Sequence, residues 1–373
     1  VRFGIAGAQP SDRRGAETAL AAAHAGAGGF LQGRQRSQAR CDLGLQPGGS
    51  DFLAPADHRG VGQGRRRRGE HTPQGGLESL GSSQGDAGGG VRRRGEPKVP
   101  GGGEFFLHGG SDPPAALDKN SLVVIPSLSG TTKESVKRRA CRKARGVRTL
   151  SQTGHKDTPL AREADHNFTN FAEDDTSSEM FYLQTLMIVL ALMAERGEYK
   201  NYDATVAELQ KLPKLLVDVK AAFEPKAAEL AAAIKDEKYH IFTGAGSVWA
   251  QAYYYGMCIL EEMQWIRTRP VHAADFFHGT LELVEQGVSV FVFKGEDASR
   301  PLADRVENFA RRYTDKVRVL DAADAKLPGI SPETRSLISP VLLATQLERL
   351  SAHLEVLRNH PLTTRRYYKR VEY

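Results

Sequence analysis

A short apolar run that opens into a loop of serine and threonine residues constrains the fold of this chain most. Residues 122–125 read Leu-Val-Val-Ile, a length and β-branched composition typical of a buried parallel strand. The run stops at Pro126 and opens into a Ser-x-Ser-Gly-Thr-Thr loop at 127–132, after which the spacing becomes helical. Backbone N–H groups and the positive end of a helix dipole can hold a phosphate at such a loop. The hydroxyl donors would be Ser127, Ser129, Thr131 and Thr132. A plain turn that caps a helix is the alternative interpretation.

Strands and helices are predicted to alternate from residue 119 onward. The predicted strands lie near 121–126, 147–151, 239–243, 288–293 and 317–320. The first predicted helix is poor and runs to about residue 145. The other predicted helices are 177–195, 203–235 with a break at Pro213, 248–262, 302–313 and 340–357. This alternation predicts an α/β fold with doubly wound, flavodoxin-like parallel sheets, which bind ligands at the carboxyl ends of their strands. A second glycine and serine loop follows at 244–247, so two related lobes are expected.

The first 118 residues differ in composition from the rest. They hold 27 of the 38 glycines, and no apolar period of 2 or 3.6 persists. Such a segment buries too little apolar surface to offset the loss of chain entropy on folding. Three interpretations stay open. The segment is an out-of-frame translation of the coding DNA, or a disordered linker or tail, or a basic arm that binds nucleic acid. The near balance of 15 basic and 12 acidic residues argues against the arm.

The rest of the composition is that of an ordinary α/β protein in a reducing compartment. Cys41, Cys141 and Cys258 have no spacing typical of metal ligands. The longest apolar stretch, 180–194, is interrupted by Gln184 and is too short to span a bilayer. The sequence therefore predicts a cytoplasmic protein with no membrane partner.

From residue 119 onward the motifs resemble the sugar isomerase (SIS) domain family in its two-lobed form. SLSGTT resembles that family's phosphate loop, and AEDDTSSEMFYLQT resembles the segment that closes its sugar site, which implies substrate contacts for Glu173 and Ser178. TGAGSVWAQAYYYGMCILEEMQW followed by HAADFFHG resembles the loop, the catalytic helix and the His-Gly of the second lobe. The resemblance implies a catalytic glutamate at Glu262 and a catalytic histidine at His278.

The resemblance also implies a domain division, a branch of the family and a partner. Residues 1–118 would be the atypical segment, 119–235 the remainder of the first SIS lobe, and 236–373 the second lobe with its tail. The strand, glycine loop and helix that normally begin the first lobe are not found upstream of residue 119. The tail HPLTTRRYYKRVEY resembles the deglycases of fructoselysine and glucoselysine 6-phosphate, which implies contacts with the substrate or its phosphate from Arg365, Arg366 and Lys369, with Arg366 as the selected candidate. An exposed basic tail is the alternative interpretation. Relatives are dimers or pairs of dimers with sites shared between subunits, so a homodimer or larger assembly is expected.

The chemistry of a deglycase fits the two candidate catalytic residues. Breaking the carbon–nitrogen link of an Amadori sugar phosphate requires a proton to move from C1 to C2, which gives an imine of glucose 6-phosphate that water hydrolyses. A helix carboxylate such as Glu262 suits the transfer, and an imidazole such as His278 suits ring opening. No metal or redox cofactor is expected. Alternatively, Glu262 belongs with Glu261 to a solvated helix end, His278 ends a helix, or His272 is the base.

Three function classes remain open. They are a deglycase that releases glucose 6-phosphate and a free amino acid, another aldose–ketose or amino-sugar phosphate isomerase, and a non-catalytic sugar-phosphate sensor. The presence of both Glu262 and His278 favours an enzyme over a sensor. A sensor that binds DNA would carry a helix-turn-helix, and residues 1–118 show no such pattern, so no nucleic-acid partner is expected.

Overall fold

The computed structural model describes most of the chain after residue 145 and separate pieces before it. The described residues are 3–6, 104–107, 117, 119, 121–133, 135–136, 146–170, 178–368 and 370–372. For 3–6, 104–107 and Ser178, only the backbone is described. Most of the head lies outside the described residues, so the three interpretations of residues 1–118 stay predictions. Glu173 also lies outside them.

The first sheet has five strands, in the order β2-β1-β3-β4-β5. They are β1 (Phe3–Ala6), β2 (Glu104–Leu107), β3 (Leu122–Pro126), β4 (Arg148–Thr153) and β5 (His166–Thr169). The strands β3, β4 and β5 are parallel, as the sequence predicts, and Val124 lies opposite Leu150. The head adds β1 and β2, which pair antiparallel with each other, while β1 also runs antiparallel to β3. The sequence analysis missed β1, β2 and β5 because each has only four residues, too few for a period to be recognised.

In the described part of the chain, one short helix lies between β4 and β5, and three longer helices lie between β5 and the second sheet. They are α1 (Pro159–Glu163), α2 (Ser178–Glu195), α3 (Tyr202–Leu209) and α4 (Leu212–Ile234). The break between α3 and α4 lies at residues 210–211, slightly before the predicted position at Pro213. Pro213 instead lies in the first turn of α4, where the missing N–H of proline costs no helical hydrogen bond.

The second sheet is parallel throughout, with the strand order β7-β6-β8-β9. Its strands are β6 (Tyr239–Gly244), β7 (Arg267–His272), β8 (Ser289–Lys294) and β9 (Val317–Asp321). The sequence analysis missed β7, an edge strand whose charged and polar residues give no apolar run. The two sheets lie on either side of the predicted domain boundary at residues 235 and 236, which stays a prediction.

The helices of the second lobe cover both faces of this sheet. A continuous helical segment consists of α5 (Trp249–Tyr254), a π-helix (Tyr255–Glu261) and α6 (Glu262–Gln264), and it is followed by α7 (Arg300–Ala310) and α8 (Pro332–Leu357). The sequence predicts that the last helix begins at residue 340, but α8 begins eight residues earlier. Ser331 caps it, since its side chain accepts a hydrogen bond from the Thr334 N–H, and Pro340 lies inside it.

One large apolar core joins the two lobes. Helices α2, α4 and α8 pack with the helical segment against the face of the second sheet that carries Phe242, Phe291 and Phe293. The rings of Phe242 and Phe291 are stacked with centroids 4.7 Å apart. The opposite face of β8 carries Val290 and Val292, which pack against α7. Within the part of the chain that the structure describes, no helix is long and apolar enough to cross a membrane.

Candidate active site

The hydroxyl groups of the loop after β3 hold it in a closed shape. Ser127 is buried, and its Oγ accepts a hydrogen bond from the Gly130 N–H at 3.2 Å and lies 3.4 Å from the Thr132 Oγ1. The Ser129 Oγ accepts hydrogen bonds from the N–H and the hydroxyl of Thr131 at 3.3 and 3.1 Å. The structure therefore brings all four predicted hydroxyl residues together at the carboxyl end of a parallel strand, where sheets of this kind bind ligands.

Gly130 fixes the path of this loop. Its φ is +59°, and a Cβ there would lie 2.1 Å from the Thr158 Oγ1. The Gly130 carbonyl accepts a hydrogen bond from the Leu160 N–H at 3.1 Å, and the Leu128 carbonyl accepts one from the Gly154 N–H at 2.8 Å. These bonds tie the loop to the turn between β4 and α1. The hydroxyls are thus held in place before a ligand binds, which lowers the entropic cost of binding.

A carboxylate of the chain itself fills the corresponding loop of the second lobe, 244–247. The Asp297 Oδ2 accepts hydrogen bonds from the N–H and the hydroxyl of Ser247 at 3.0 and 2.5 Å, and the Oδ1 accepts from the N–H of Ser299 at 2.9 Å. Burial alone would raise the pKa of Asp297, but these hydrogen bonds outweigh it and lower the pKa. An ionised side chain therefore occupies the place that a bound anion would take.

The structure separates the roles of two adjacent glutamates. The Glu261 Oε1 accepts hydrogen bonds from the N–H and the hydroxyl of Thr268 at 3.1 and 2.7 Å, which ties the helical segment to β7. The Glu262 side chain is 24% exposed, and its Oε1 accepts a hydrogen bond from the Arg365 Nε at 2.9 Å. Glu261 is therefore an exposed carboxylate bonded to a neutral threonine, whereas Glu262 is a less exposed carboxylate paired with a cation.

Arg365, one of the three basic tail residues that the sequence offered, contacts this carboxylate, whereas the selected Arg366 does not. The Arg366 guanidinium lies 4.1 Å from the centre of the Trp265 ring, a cation–π contact. No sequence signal distinguishes the two adjacent arginines, because the irregular tail has no period that shows which side chain points inward.

His278 and Glu262 lie in segments that pack on opposite faces of the second sheet. His278 is exposed at the end of the 3-10 helix Phe276–His278, which is anchored through Phe276 in the core on the α7 side. The segment that carries Glu262 is anchored through Tyr255 and Leu260 in the core on the other side. The two predicted catalytic residues are therefore not brought together within one chain.

His272, the alternative base, is engaged at the end of β7. Its Nδ1 accepts a hydrogen bond from the Ala274 N–H at 3.1 Å, and its ring packs edge-on against Trp249 with centroids 5.5 Å apart. Burial lowers its pKa. The imidazole thus shapes the turn after β7.

Comparisons with known proteins show which family this chain belongs to. The model of the SIS domain matches residues 105–194. Fructosamine deglycase FrlB of Bacillus subtilis is 31% identical to this chain over 265 residues, which are 70% of this chain and 80% of that protein. The chain belongs to the SIS domain family. Its relatives are enzymes, and so is this SIS protein.

Two further relatives match the SIS protein over about two thirds of its length. A fructoselysine 6-phosphate deglycase of Escherichia coli is 29% identical over 261 residues, which cover 68% of this chain and 73% of that protein. The crystal structure of a Bacillus subtilis protein designated a phosphosugar isomerase superposes on this chain with a TM-score of 0.66. The two chains are 30% identical, and the match covers 70% of this chain and 80% of that protein. These matches confirm the predicted fold of two parallel sheets with flanking helices.

In this SIS protein, α2 connects the loop after β3 with the helical segment that carries Glu262. The Ser127 N–H donates to the Gln152 carbonyl at 2.8 Å, and the Gln152 Oε1 accepts from the Thr185 hydroxyl of α2 at 3.0 Å. One turn earlier in α2, the Tyr182 hydroxyl donates to the Gln251 Oε1 of α5 at 3.0 Å. Two side-chain hydrogen bonds from one rigid helix therefore link the two halves of the candidate site.

The start of α2 lies near Glu262. Burial raises the pKa of Tyr254 well above its usual range, and Cys258, Tyr182, Glu262 and Glu179 raise it further. Glu179 is a buried carboxylate that the sequence analysis missed, although it follows Ser178, the predicted substrate contact and first residue of α2. Glu179, which follows Ser178, and Glu262 thus both act on the same buried tyrosine.

Proposed function

We propose that this chain is a phosphosugar deglycase. It would remove the amino acid from an Amadori-type sugar 6-phosphate, fructoselysine or glucoselysine 6-phosphate, and leave glucose 6-phosphate. The observation that carries this proposal is the difference between the adjacent glutamates: Glu261 is exposed and bonded to Thr268, whereas Glu262 is partly buried and paired with Arg365 in the lobe that α2 joins to the hydroxyl loop. The names of the relatives at about 30% identity support the same class.

The loop after β3 would bind the 6-phosphate. Ser127, Ser129, Thr131 and Thr132 supply the hydroxyls, and the fixed loop would hold the far end of the sugar so that its reacting carbons are presented to the base. The second loop would not compete, because Asp297 already fills it. Glu173, Ser178 and Arg366 would complete the sugar site.

Glu262 would move the proton. The carboxylate removes a proton from C1 of the ring-opened ketose amine, and the electrons of that bond form a 1,2-enaminol. In the same process the C2 carbonyl oxygen takes a proton from solvent. The resulting carboxylic acid returns a proton to C2 while the nitrogen lone pair forms the C1–N double bond, and the iminium loses its N–H proton to solvent to leave an imine between C1 and the amine. Water adds to the imine and expels the amino acid, which leaves the aldose phosphate.

His278 of a second copy would open the sugar ring. Its position on the face of the sheet away from Glu262 supports a homodimer in which each site takes its glutamate and histidine from different subunits. An exposed imidazole can both accept and donate the proton that ring opening moves.

The test is the release of free lysine and glucose 6-phosphate from fructoselysine 6-phosphate by the purified full chain. Glucoselysine 6-phosphate, unphosphorylated fructoselysine and fructose 6-phosphate serve as comparison substrates. The proposal predicts lysine release from a phosphorylated glycated lysine and little from the unphosphorylated compound. Interconversion of aldose and ketose phosphates without lysine release would instead indicate a plain isomerase. Tight binding without turnover would indicate a sensor.

A further inference from the structure

The C-terminal tail folds back onto the end of the helical segment that carries Glu262. The Gln264 Nε2 donates to the His360 carbonyl at 2.8 Å, and the Gln264 Oε1 accepts from the Arg358 Nε at 3.1 Å. Trp265 lies between the His360 ring, with centroids 4.6 Å apart, and the Arg366 guanidinium. The His360 ring also hydrogen-bonds the Met263 backbone, so the tail contacts all four residues from Glu262 to Trp265.

The end of this helical segment needs such support. Trp265 has a φ of +55°, in the left-handed region that costs a bulky residue of order 1 kcal/mol or more. It is also 41% exposed, so burial in its own lobe does not hold it in place. The contacts with the tail stabilise this conformation and so determine where the helical segment ends, two residues after Glu262.

Arg365 is held from two sides. Its Nη1 donates to the carbonyls of Leu362 and Thr364 at 2.6 and 3.1 Å, and its Nε donates to the Glu262 Oε1 at 2.9 Å. The arginine side chain is only 8% exposed. A planar guanidinium fixed by two backbone carbonyls can point its Nε in only one direction, and that direction is the carboxylate.

We propose that Arg365 is the positioning residue for the base, and that the C-terminal tail is therefore part of the catalytic apparatus. Its positive charge lies beside the carboxylate, and its Nε–H engages one carboxylate oxygen and so fixes the orientation of the group. This inference rests on the proposed function, because it assigns a role in the same proton transfer.

The test compares three variants of the full chain: Arg365→Gln, Arg365→Lys and the control Arg349→Gln. Arg349 forms a similar ion pair with Glu224, with its Nε 2.6 Å from the Oε2, between α8 and α4 in the helix layer. For Arg365→Gln, kcat should fall by about 10- to 100-fold while KM changes by less than about threefold. The acid limb of the kcat profile should move up by about one pH unit.

Arg365→Lys should restore the acid limb but only part of kcat, because lysine keeps the charge and lacks the planar fork. The control should lose stability without a change in the pH profile. If Arg365→Gln behaves like the control while the wild type is active, the inference is wrong and the proposed function stands. If the wild type acts on none of the sugar phosphates, both are wrong.

A double-mutant cycle in denaturant tests the contact without an activity assay. Glu262→Gln, Arg365→Gln and the double variant should show a coupling in the free energy of unfolding. Additive changes would mean that the pair is not formed in solution, which overturns the inference whatever the substrate is.

Discussion

Asp297 accepts hydrogen bonds from both the N–H and the hydroxyl of Ser247, so a carboxylate of the chain occupies the loop of the second lobe. The equivalent loop of the first lobe bonds its hydroxyls to one another and to its own backbone. Two loops of similar sequence therefore have different roles. The second is closed by a built-in anion, whereas the first is the loop that we propose for the phosphate.

Ser129→Ala should weaken substrate binding, whereas Ser247→Ala should not. Loss of one hydrogen bond to a charged phosphate costs about 1.5–3 kcal/mol, so KM should rise about 10-fold or more in Ser129→Ala. Ser247→Ala should lower the free energy of unfolding by about 1 kcal/mol and leave KM unchanged. Steady-state kinetics and urea unfolding of both variants check this. Equal effects on KM would contradict the assignment.

Gly130→Ala should destabilise the protein more than Gly197→Ala. Both glycines have a positive φ, but a Cβ at Gly197 meets nothing within 4 Å, whereas one at Gly130 would meet the Thr158 side chain at 2.1 Å. The Gly197 variant thus reports the backbone cost alone, about 1 kcal/mol, and the Gly130 variant should lose a further 1–3 kcal/mol or so. Urea unfolding measures both. Equal losses would show that the loop can move away from Thr158.

The sequence predicted the regular parts of this structure and missed those that depend on tertiary contacts. The apolar runs of β3, β6 and β8 and the hydroxyl loop are visible as local patterns. The edge strand β7, with the alternating Arg267 and Arg269, gives no such signal because its sheet position is set by pairing with β6. Arg365 could not be chosen over Arg366, because an irregular tail has no period. Nor could Asp297 be assigned to Ser247, since 50 residues separate them.

Acid should destabilise the protein through His240. This imidazole is fully buried, its Nδ1 lies 2.7 Å from the Ser289 Oγ, and among the described residues its Nε2 has no hydrogen-bond partner. Burial lowers its pKa to about 4, although Glu237 nearby opposes the shift. Between pH 6.5 and about 4 the unfolded chain binds a proton that the folded chain does not. Stability is therefore complete above pH 6.5 and falls by about 3 kcal/mol as the pH drops to 4.

The measurement is the free energy of unfolding from pH 7 to pH 4 for the wild type and for His240→Asn. The variant keeps a polar group near Ser289 but cannot titrate in this range. It should be less stable at pH 7 and should lose less stability on acidification. The same pH slope in both proteins would exclude His240 as the source.

Two inactive variants should complement each other if the site is shared between subunits. In a mixed dimer of Glu262→Gln and His278→Ala, one site would combine an intact glutamate with an intact histidine. Random mixing would give about a quarter of wild-type activity, while each variant alone stays inactive. No recovery in a verified mixed dimer would contradict the assignment of His278 to the neighbouring site.

We propose that Glu262, and not Glu261, is the base. The most direct test is to measure kcat for lysine release in the variants Glu262→Gln and Glu261→Gln. Each variant replaces one carboxylate by an amide of the same shape. Glu261→Gln keeps an oxygen that can accept from Thr268, so its kcat should stay within about threefold of the wild type. Glu262→Gln should lose about 100-fold or more, the usual contribution of a general base. A Glu262→Gln variant with wild-type turnover would contradict the account.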